Sequence, residues 1–323
     1  MRKLLALCSL IALIPLLTGF VKKQETPSTL TAGTSIAFKT KYHIILVLDG
    51  PRWSETFGDS SYQYIPNMGR ILKKEGTLFT NFRNEGSTYT NSGHTALCTG
   101  VHQNIPNNGK KLPKNPSIFQ YLIKQRKLDK RKAWILTSKG KLEMLANTKN
   151  KDWWNTYMPS TYCGHKGSGI GYPDDHVGWP IFKSIIQEHK PVLTLINLLN
   201  IDVWGHANNW EKYLTSIRDL DGMALDLWKM IQQDPEMKNQ TALYITNDHG
   251  RHLDGHKDGF KSHGDGCEGC RHISLLALGP DIAKNKEVDR KYDQVDLTAT
   301  IACMLGVEMS TGKGKAIPEL MNR

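Results

Sequence analysis

Short, nearly continuous apolar segments recur along the chain and alternate with longer segments whose apolar residues have a helical spacing. The predicted strands are YHIILVLDG, TLFTNFR, AWILTS, VLTLINLLNID, ALYITNDHG and ISLLALGP. The predicted helices are IPNMGRILKKEG, PSIFQYLIKQ, WPIFKSIIQEHK and NWEKYLTSIRDLDGMALDLWKMIQQ. Strands without polar alternation are typical of a parallel sheet that is buried on both faces. The pattern therefore predicts an α/β fold with a mostly parallel central sheet and helices on both faces.

Acidic residues stand at the ends of three of these predicted strands. Asp49 follows the first strand, Asp202 ends the fourth, and Asp248 with His249 ends the fifth. Open parallel sheets bind ligands at the carboxyl ends of their strands, and acids gathered there repel one another unless a cation lies among them. A carboxylate beside an imidazole suits a divalent transition metal, zinc above all. The alternative for Asp248 is a turn in which the carboxylate bonds its own backbone.

Two further histidines extend this set of candidate ligands. His206 follows Asp202 by four residues, and Gly205 between them allows the chain to aim both side chains at one point. His263 stands beside a glycine in FKSHGDG. His252 and His256 lie close by in the sequence and are rival candidates.

A segment rich in hydroxyl groups, GSTYTNSGHTALCTG, supplies a candidate nucleophile. It contains Thr88, Thr90, Ser92 and Thr95, and its second half, GHTALCTG, predicts the start of a helix. Backbone N–H groups at a helix N-terminus favour anions. Ordinary N-capping by Thr90 or Ser92 is the structural alternative. Ser92 also rivals Thr90 as the nucleophile, because its oxygen is less hindered and lies closer to the predicted helix.

Taken in order, these motifs resemble the alkaline phosphatase superfamily, and most closely its nucleotide pyrophosphatase/phosphodiesterase-like branch. The nucleophile motif of that branch, T-F-P-N-H-x-T-x-x-T-G, is matched by TNSGHTALCTG. The other matches are Asp49 after the first strand, D-x-x-x-H at Asp202 and His206, D-H-G at 248–250, and H-G at 263–264 before a strand that ends in Gly-Pro. Asn91 and Ser92 replace the Phe-Pro of the branch, and Gly93 stands where Asn is usual.

The resemblance implies two divalent metal ions, usually zinc, and a covalent mechanism. One ion would be bound by Asp202, His206 and His263, and the other by Asp49, Asp248, His249 and Thr90. Thr90 would be the metal-activated nucleophile and would form a phosphothreonine that water then hydrolyses. Asn91 and Asn108 are candidate donors to the phosphoryl oxygens, although Asn108 can equally be a plain turn residue.

The predicted function is an exported two-metal hydrolase of phosphate esters, either a phosphodiesterase or a phosphomonoesterase, with an anionic ester as its substrate. One alternative is a phosphomutase or a sulfatase-like relative on the same metal scaffold. A formylglycine sulfatase is disfavoured because the chain has no C/S-x-P-x-R sequence. The other alternative, a non-catalytic exported binding protein, is disfavoured because the nucleophile and all the ligand residues are present.

Composition and the pattern of the N-terminal residues predict how the chain is divided into domains. The 323 residues are 39% hydrophobic and 23% charged, which is ordinary for a globular protein with a sizeable core. Residues 1–20 begin with Arg2 and Lys3 before an apolar run, which predicts a signal peptide for export to the periplasm or the medium, with an uncleaved anchor as the alternative. Residues 21–41 are a predicted linker, and residues 42–323 a catalytic domain with a small lid near 147–176. No later segment is apolar enough to span a membrane.

Charge and cysteines add two expectations. The net charge of +11 is compatible with an anionic substrate, and the densest basic run, 124–132, lacks interleaved aromatic residues, so no nucleic-acid partner is predicted. Export makes disulfides plausible. Cys267 and Cys270 in CEGC are predicted to form a disulfide that stiffens the loop carrying His263. A zinc half-site is the alternative, but the chain has no second Cys-x-x-Cys to complete it.

Overall fold

The computed structural model describes residues 37–322, so the predicted signal peptide and most of the predicted linker lie outside the described residues. A central sheet of nine strands runs through this part of the chain. Its strands are β1 (Tyr42–Leu48), β2 (Gly76–Arg83), β3 (Ala133–Thr137), β4 (Ser160–Cys163), β5 (Leu193–Leu198), β6 (Thr241–Asn247), β7 (His272–Leu278), β8 (Lys286–Val288) and β9 (Tyr292–Asp293). Their order across the sheet is β4-β3-β5-β1-β6-β7-β2-β8, and β9 pairs with β2.

The sheet is mostly parallel, as the apolar pattern predicts. Strand β1 is parallel to both of its neighbours, β5 and β6, and β3 is parallel to β5 and β4. Among the described strands only β7 is antiparallel to its neighbours, which are β6 and β2. The predicted fold class is confirmed.

Helices cover both faces of this sheet. They are α1 (Lys73–Glu75), α2 (Thr90–Thr99), α3 (Ile118–Arg126), α4 (Asp175–His189), α5 (Asn200–His206), α6 (Trp210–Gln233), α7 (Glu268–Arg271) and α8 (Gln294–Leu305). A π-helical turn at Met68–Leu72 leads into α1. Short 3₁₀ segments lie at Trp53–Glu55, Lys130–Lys132, Gly140–Ala146, His165–Gly167, Gly259–Lys261 and Pro318–Leu320.

The alternation of side chains along β1 separates two hydrophobic cores. Ile45 and Val47 belong to the core that includes buried residues of α2, α3 and α8. Ile44 and Leu46 point to the opposite face, into the core that includes α4 and α6. Successive residues of a strand face opposite sides of the sheet, so a continuous apolar strand needs a helical layer on each side.

Three sequence expectations differ from the structure in detail. The predicted strand that was to end at Asp202 ends at Leu198, and Asp202 lies in the following helix, α5. Helix α2 begins at Thr90, three residues before the predicted GHTALCTG start. Within the predicted lid near 147–176, residues Ser160–Cys163 form β4 and pair with β3 at the edge of the sheet, so the lid remains a prediction for the rest of that segment only.

No helix within residues 37–322 combines the length and the apolar character that crossing a membrane requires.

Candidate active site

Four neighbouring parallel strands deliver their carboxyl ends to one edge of the sheet. The register pairs Thr137 of β3 with Asn197 of β5, and Leu48 of β1 with both Leu198 of β5 and Asn247 of β6. The residues that follow these strands therefore begin their paths side by side. This is the edge at which open parallel sheets bind ligands.

The first group of candidate ligands is formed by Asp202, His206 and His263. Asp202 and His206 are four residues apart on α5, a spacing that places both side chains on one face of a helix. The Nε2 atom of His206 lies 3.2 Å from Asp202 Oδ1 and 3.1 Å from Nε2 of His263. The helix, rather than a loop curled at Gly205, aims the pair, because Gly205 is itself helical.

The second group converges on His249. Its Nε2 atom lies 3.6 Å from Asp49 Oδ1, 3.3 Å from Asp248 Oδ2 and 3.4 Å from Thr90 Oγ1. The rings of His249 and His263 are stacked with their centroids 3.7 Å apart, so the two groups adjoin. The structure thus brings together every residue that the sequence proposes as a metal ligand.

Backbone carbonyls orient the two stacked histidines. Nδ1 of His249 lies 2.9 Å from the carbonyl oxygen of Gly250, and Nδ1 of His263 lies 2.8 Å from that of Thr88. Each Nδ1–H donates to its carbonyl and leaves an unprotonated Nε2 facing the carboxylates, as in metal-binding histidines. Burial lowers the pKa of His263 to about 4. Burial, followed by the neighbouring His263, also lowers the pKa of His249, so both rings are neutral near pH 7.

One buried carboxylate oxygen indicates whether a metal ion would fit this site. Asp248 Oδ2 is buried and makes no hydrogen bond, although His249 Nε2 lies 3.3 Å and His94 Nδ1 3.2 Å away. Burial, followed by the charge of Asp49, raises the pKa of Asp248. A divalent cation would relieve both effects, since it replaces the missing partner and offsets the repulsion. Buried carboxylates with neutral imidazole nitrogens are a donor set that fits Zn²⁺.

Two cationic side chains that sequence analysis missed also enter this site. Lys139 Nζ donates to Asp49 Oδ1 at 2.9 Å and to Asp202 Oδ2 at 2.5 Å, and Arg251 donates to Asp202 Oδ1 at 2.6 Å. Burial by itself would lower the pKa of Lys139, but the charges of Asp202, Asp49 and Asp248 outweigh burial and raise it. Lys139 comes two residues after β3, in SKGK, and Arg251 four residues after β6, in DHGR, where only acids and histidines were considered.

Asn197 and His94 complete the buried network. Asn197 Nδ2 donates to Asp49 Oδ2 at 2.9 Å, which fixes that carboxylate from within β5. His94 Nδ1 lies 2.9 Å from the carbonyl oxygen of Thr90 and 3.2 Å from Asp248 Oδ2. In the sequence His94 served only as a spacing mark in the nucleophile motif, and in the structure it connects the start of α2 to the acids.

Of the four candidate hydroxyl residues, Thr88, Thr90, Ser92 and Thr95, only Thr90 faces the acids and histidines. Ser92 Oγ donates to the carbonyl oxygen of Ile105 and accepts from its N–H, at 3.3 and 3.1 Å. The Thr95 hydroxyl donates to a carbonyl of its own helix, and Thr88 Oγ1 accepts from a backbone amide of the loop before α7. The Ser92 hydroxyl is therefore engaged in holding a loop rather than presented to the site.

The predicted phosphoryl donors, Asn91 and Asn108, have other partners in the structure. The side-chain amide of Asn91 donates to the carbonyl oxygen of Pro106, and its backbone N–H donates to Asn107 Oδ1, both at 3.0 Å. Asn108 Oδ1 accepts from the N–H of Lys110, as in the turn that was the alternative. Asn107, rather than Asn108, is thus the asparagine in contact with the first turn of α2.

A cavity of about 660 Å³ lies next to this turn. Asn108, Lys141, Met158 and Tyr172 are among its lining residues, so the segment predicted as a lid forms part of its wall. Lys141 Nζ donates to Asn107 Oδ1 at 3.0 Å, which links the cavity to the start of α2. Burial and the neighbouring charge of Lys139 lower the pKa of Lys141 to about 8.

Close contact with the backbone explains why glycine occupies position 93. A Cβ atom at Gly93 would lie 2.4 Å from the carbonyl oxygen of Asp248, closer than side chains approach. Asn84 Nδ2 donates to the same oxygen at 2.8 Å. The first turn of α2 therefore lies directly against the end of β6, and the Asn that is usual in the diesterase-like branch has no space here.

Gly93→Ala is expected to destabilise the fold by about 1–3 kcal/mol, because forcing an extra carbon into a filled space displaces backbone. Gly222→Ala is the matched control: nothing lies within 4 Å of its added Cβ, and it is inside α6. Removing a helical glycine there should be neutral or stabilising by up to about 1 kcal/mol. Thermal unfolding of both variants would check this, and equal stability of the two would contradict the contact at Gly93.

The predicted disulfide between Cys267 and Cys270 is wrong for this structure. Both residues are free thiols, with their sulfur atoms 3.4 Å apart. The rival histidines also lie here, outside the set of acids described above: Nε2 of His252 is 3.2 Å from Asp265 Oδ1, and Nε2 of His256 is 2.8 Å from Asp265 Oδ2. The two thiols belong to a separate cluster with His252 and Asp265.

A protein-family model, described as Sulfatase, matches residues 42–307, which is most of the chain. The chain belongs to the sulfatase family. This sulfatase-family protein is accordingly a hydrolase of the alkaline phosphatase superfamily, whose members use divalent metals. A search of curated proteins found no match.

Solved structures share the fold of this sulfatase-family protein at low identity. The wild-type alkaline phosphatase PafA is 12% identical, with a TM-score of 0.66 over 87% of this chain and 99% of that chain. The PsFucS1 sulfatase from Pseudoalteromonas sp. is 14% identical, with a TM-score of 0.65 over 88% and 72%. The lipoteichoic acid synthase LtaP from Listeria monocytogenes is 13% identical, with a TM-score of 0.63 over 87% and 76%. At this identity the likeness establishes the fold alone.

Proposed function

We propose that this sulfatase-family protein hydrolyses phosphate esters and that Thr90 is its nucleophile. One observation carries the proposal: Thr90 Oγ1 is buried at the first residue of α2 and lies 3.4 Å from Nε2 of His249, among buried carboxylates. The other hydroxyls of the motif are bonded elsewhere. A hydroxyl is a weak nucleophile at neutral pH and needs an activating environment of this kind.

The two adjoining groups of ligands would hold two divalent ions, with zinc favoured by the mixture of carboxylate oxygen and imidazole nitrogen. We assign Asp202, His206 and His263 to one ion, and Asp49, Asp248, His249 and Thr90 to the other. When bound, the ions supply positive charge that lowers the pKa of the alcohol and offsets charge on the phosphoryl group.

The residues of this chain account for the rest of the reaction. Thr90 Oγ forms a bond to phosphorus while the bond from phosphorus to the ester oxygen breaks, and the departing alcohol acquires a proton. Water then attacks the phosphorus of the phosphothreonine, restores the Thr90 hydroxyl and releases the phosphate. Lys141 lines the adjoining cavity, where its ammonium group would bind phosphoryl oxygens, and the cavity would receive the alcohol portion of the ester.

The chemistry of Thr90 favours phosphate over sulfate esters. A formylglycine nucleophile is an aldehyde made from a Cys or Ser side chain, whereas the Cβ of threonine carries a methyl group and could give only a ketone. The nearest cysteine along the chain is Cys98, buried two turns further on in α2. Lys141 at the cavity wall also suits the double negative charge of a phosphate monoester better than the single charge of a sulfate ester.

Two narrower assignments are also proposals. The order of the motifs supports the nucleotide pyrophosphatase/phosphodiesterase-like branch, although Asn91 and Ser92 replace the Phe-Pro of its motif. The basic and apolar N-terminal residues, 1–20, support export to the periplasm or the medium. An anionic phosphate ester is the partner for which the site is suited.

The proposed substrate class can be tested with three chromogenic esters and protein loaded with zinc. We expect kcat/KM to be higher for p-nitrophenyl phosphate or bis(p-nitrophenyl) phosphate than for p-nitrophenyl sulfate. Lys141→Ala should lower kcat/KM for the monoester by about tenfold or more, since removing a buried oxyanion donor typically costs ~10²–10³ in rate and Lys141 is only half-buried. The diester, with one negative charge, should lose less.

The matched control is Lys151→Ala, which removes an exposed lysine that does not line the cavity and should change neither ester. A preference of the unmodified protein for p-nitrophenyl sulfate would overturn the phosphate assignment. Equal losses for the monoester and the diester in Lys141→Ala would overturn the role given to Lys141.

A further inference from the structure

A second cluster of metal-ligand side chains lies outside the candidate active site. Its four members come from the loop between β6 and β7 and from the start of α7: His252, Asp265, Cys267 and Cys270. One ligand atom from each lies within 4.8 Å of every other. We propose that these four residues bind a structural Zn²⁺ ion that is separate from the ions of the active site.

The spacing of the ligand atoms fits a tetrahedral ion. Zinc lies ~2.3 Å from sulfur and ~2.0–2.2 Å from nitrogen or oxygen, so the edges of its tetrahedron are roughly 3.3–3.8 Å. The two sulfur atoms are 3.4 Å apart, and Nε2 of His252 is 3.2 Å from Asp265 Oδ1. The sulfur of Cys270 is 3.8 Å from the same carboxylate oxygen. These three separations are close to the edges of such a tetrahedron, and the other three lie within 4.8 Å.

The imidazole of His252 independently indicates a ligand. The residue is only 3% exposed, and neither of its ring nitrogens has a hydrogen-bond partner. A buried polar group without a partner costs free energy, and native structures rarely leave one in that state. Its Nε2 atom lies 3.2 Å from Asp265 Oδ1, within the cluster, where a metal ion would satisfy it.

The carboxylate of Asp265 is held in the orientation that a ligand needs. Its Oδ2 atom accepts from Nζ of Lys257 at 2.6 Å and lies 2.8 Å from Nε2 of His256. Its Oδ1 atom is thereby turned towards the thiols and His252. Hydrogen bonds to the second oxygen of a ligating carboxylate are a common feature of metal sites.

Charge and donor chemistry select zinc among divalent ions. Two thiolates and one carboxylate carry three negative charges, which Zn²⁺ and the ammonium group of Lys257 would together neutralise. Sulfur ligands disfavour Mg²⁺ and Ca²⁺, which prefer oxygen, and a tetrahedral site with two thiolates suits zinc. In the sequence, CEGC has the spacing of a zinc half-site, but the chain has no second Cys-x-x-Cys to complete it. The structure supplies the other half from His252 and Asp265.

The position of the cluster indicates a structural role for the ion. His252 follows the active-site residue His249 by three positions, and Asp265 follows His263 by two. An ion bound to all four ligands would tie together the two ends of the loop that presents His249 and His263. The cluster contains none of the proposed catalytic residues, so zinc binding there does not depend on which ester the active site hydrolyses.

Cobalt substitution tests the site, because Co²⁺ bound to thiolates has a sulfur-to-metal charge-transfer absorption that Co²⁺ bound to oxygen and nitrogen lacks. The active-site ligands include no cysteine, so this absorption would report the second site alone. We expect it in the reduced, cobalt-loaded protein, and we expect it to persist in Asp49→Ala and in Cys303→Ser, which removes an exposed thiol outside the cluster. Cys267→Ser and Cys270→Ser should each abolish or strongly weaken it.

If the cysteine variants fail to fold, alkylation of the unmodified protein still tests the proposal. Zinc should protect Cys267 and Cys270 of the reduced protein from alkylation, while the exposed Cys303 reacts with or without zinc. Equal alkylation of the pair in both conditions would overturn the proposal, as would a missing charge-transfer band or one that disappears in Asp49→Ala. Mass spectrometry that finds the two cysteines linked as a disulfide in protein purified with zinc would also overturn it.

Discussion

Replacing Thr90 with alanine is expected to lower turnover of a phosphate ester by roughly 10³-fold or more, the scale on which removal of a nucleophile acts. The physical reason is that no other hydroxyl of the motif faces the site, so none can take over the attack. Both active-site ions should stay bound, because three carboxylate or imidazole ligands remain in each group. Metal analysis and steady-state kinetics on the same preparation would separate the two effects.

Ser92→Ala is the matched control for this prediction. Its hydroxyl bonds the backbone of Ile105, so the variant should lose some stability but keep most of its turnover. Acid quenching of the unmodified enzyme during turnover should trap phosphate on the peptide that contains Thr90. Trapped phosphate on Ser92, or near-normal turnover of Thr90→Ala, would show that the nucleophile has been misassigned.

Asp49→Ala and Asp248→Ala should each lose one active-site ion and nearly all activity. Both carboxylates are fully buried, and both lie within 3.6 Å of Nε2 of His249, so either deletion removes a charged ligand from one group. Metal content per chain, measured with kcat for a phosphate ester, checks the prediction. Asp152→Ala, at an exposed position away from the site, should retain both the metal and the activity. Full metal occupancy in both buried variants would rule out these ligands.

The sequence predicted the architecture well because burial leaves a simple pattern. Strands β1, β5 and β6 are covered on both faces, so each is mostly apolar, and polar residues follow within a few positions of its end. The parallel register then brings Asp49 and Asp248 together without further information. Asp202 lies at the same edge of the sheet but on helix α5, where its spacing of four residues to His206 places both side chains on one face.

Residues whose role depends on precise distances were harder to predict. Lys139 and Arg251 were missed because the acids were identified as ligands of a metal cation, and positively charged side chains are not expected among such ligands. Asn107 and Asn108 are adjacent in the same turn, and only the three-dimensional structure shows that Asn107 is the one that contacts the backbone of Asn91. The cysteines were assigned to a disulfide because their partners, His252 and Asp265, are brought near them by the folding of a loop rather than by local spacing.

The ammonium group of Lys139 has a consequence for how the protein matures. It bridges Asp49 and Asp202, which belong to different groups of proposed ligands. Leaving such charges buried without a partner typically costs about 3–5 kcal/mol, a large fraction of the stability of a domain. Lys139 supplies that partner from within the chain, so folding does not have to wait for a metal. Binding of the proposed ions would then be an exchange of cations inside a finished scaffold, and the chain could complete its fold before it acquires them.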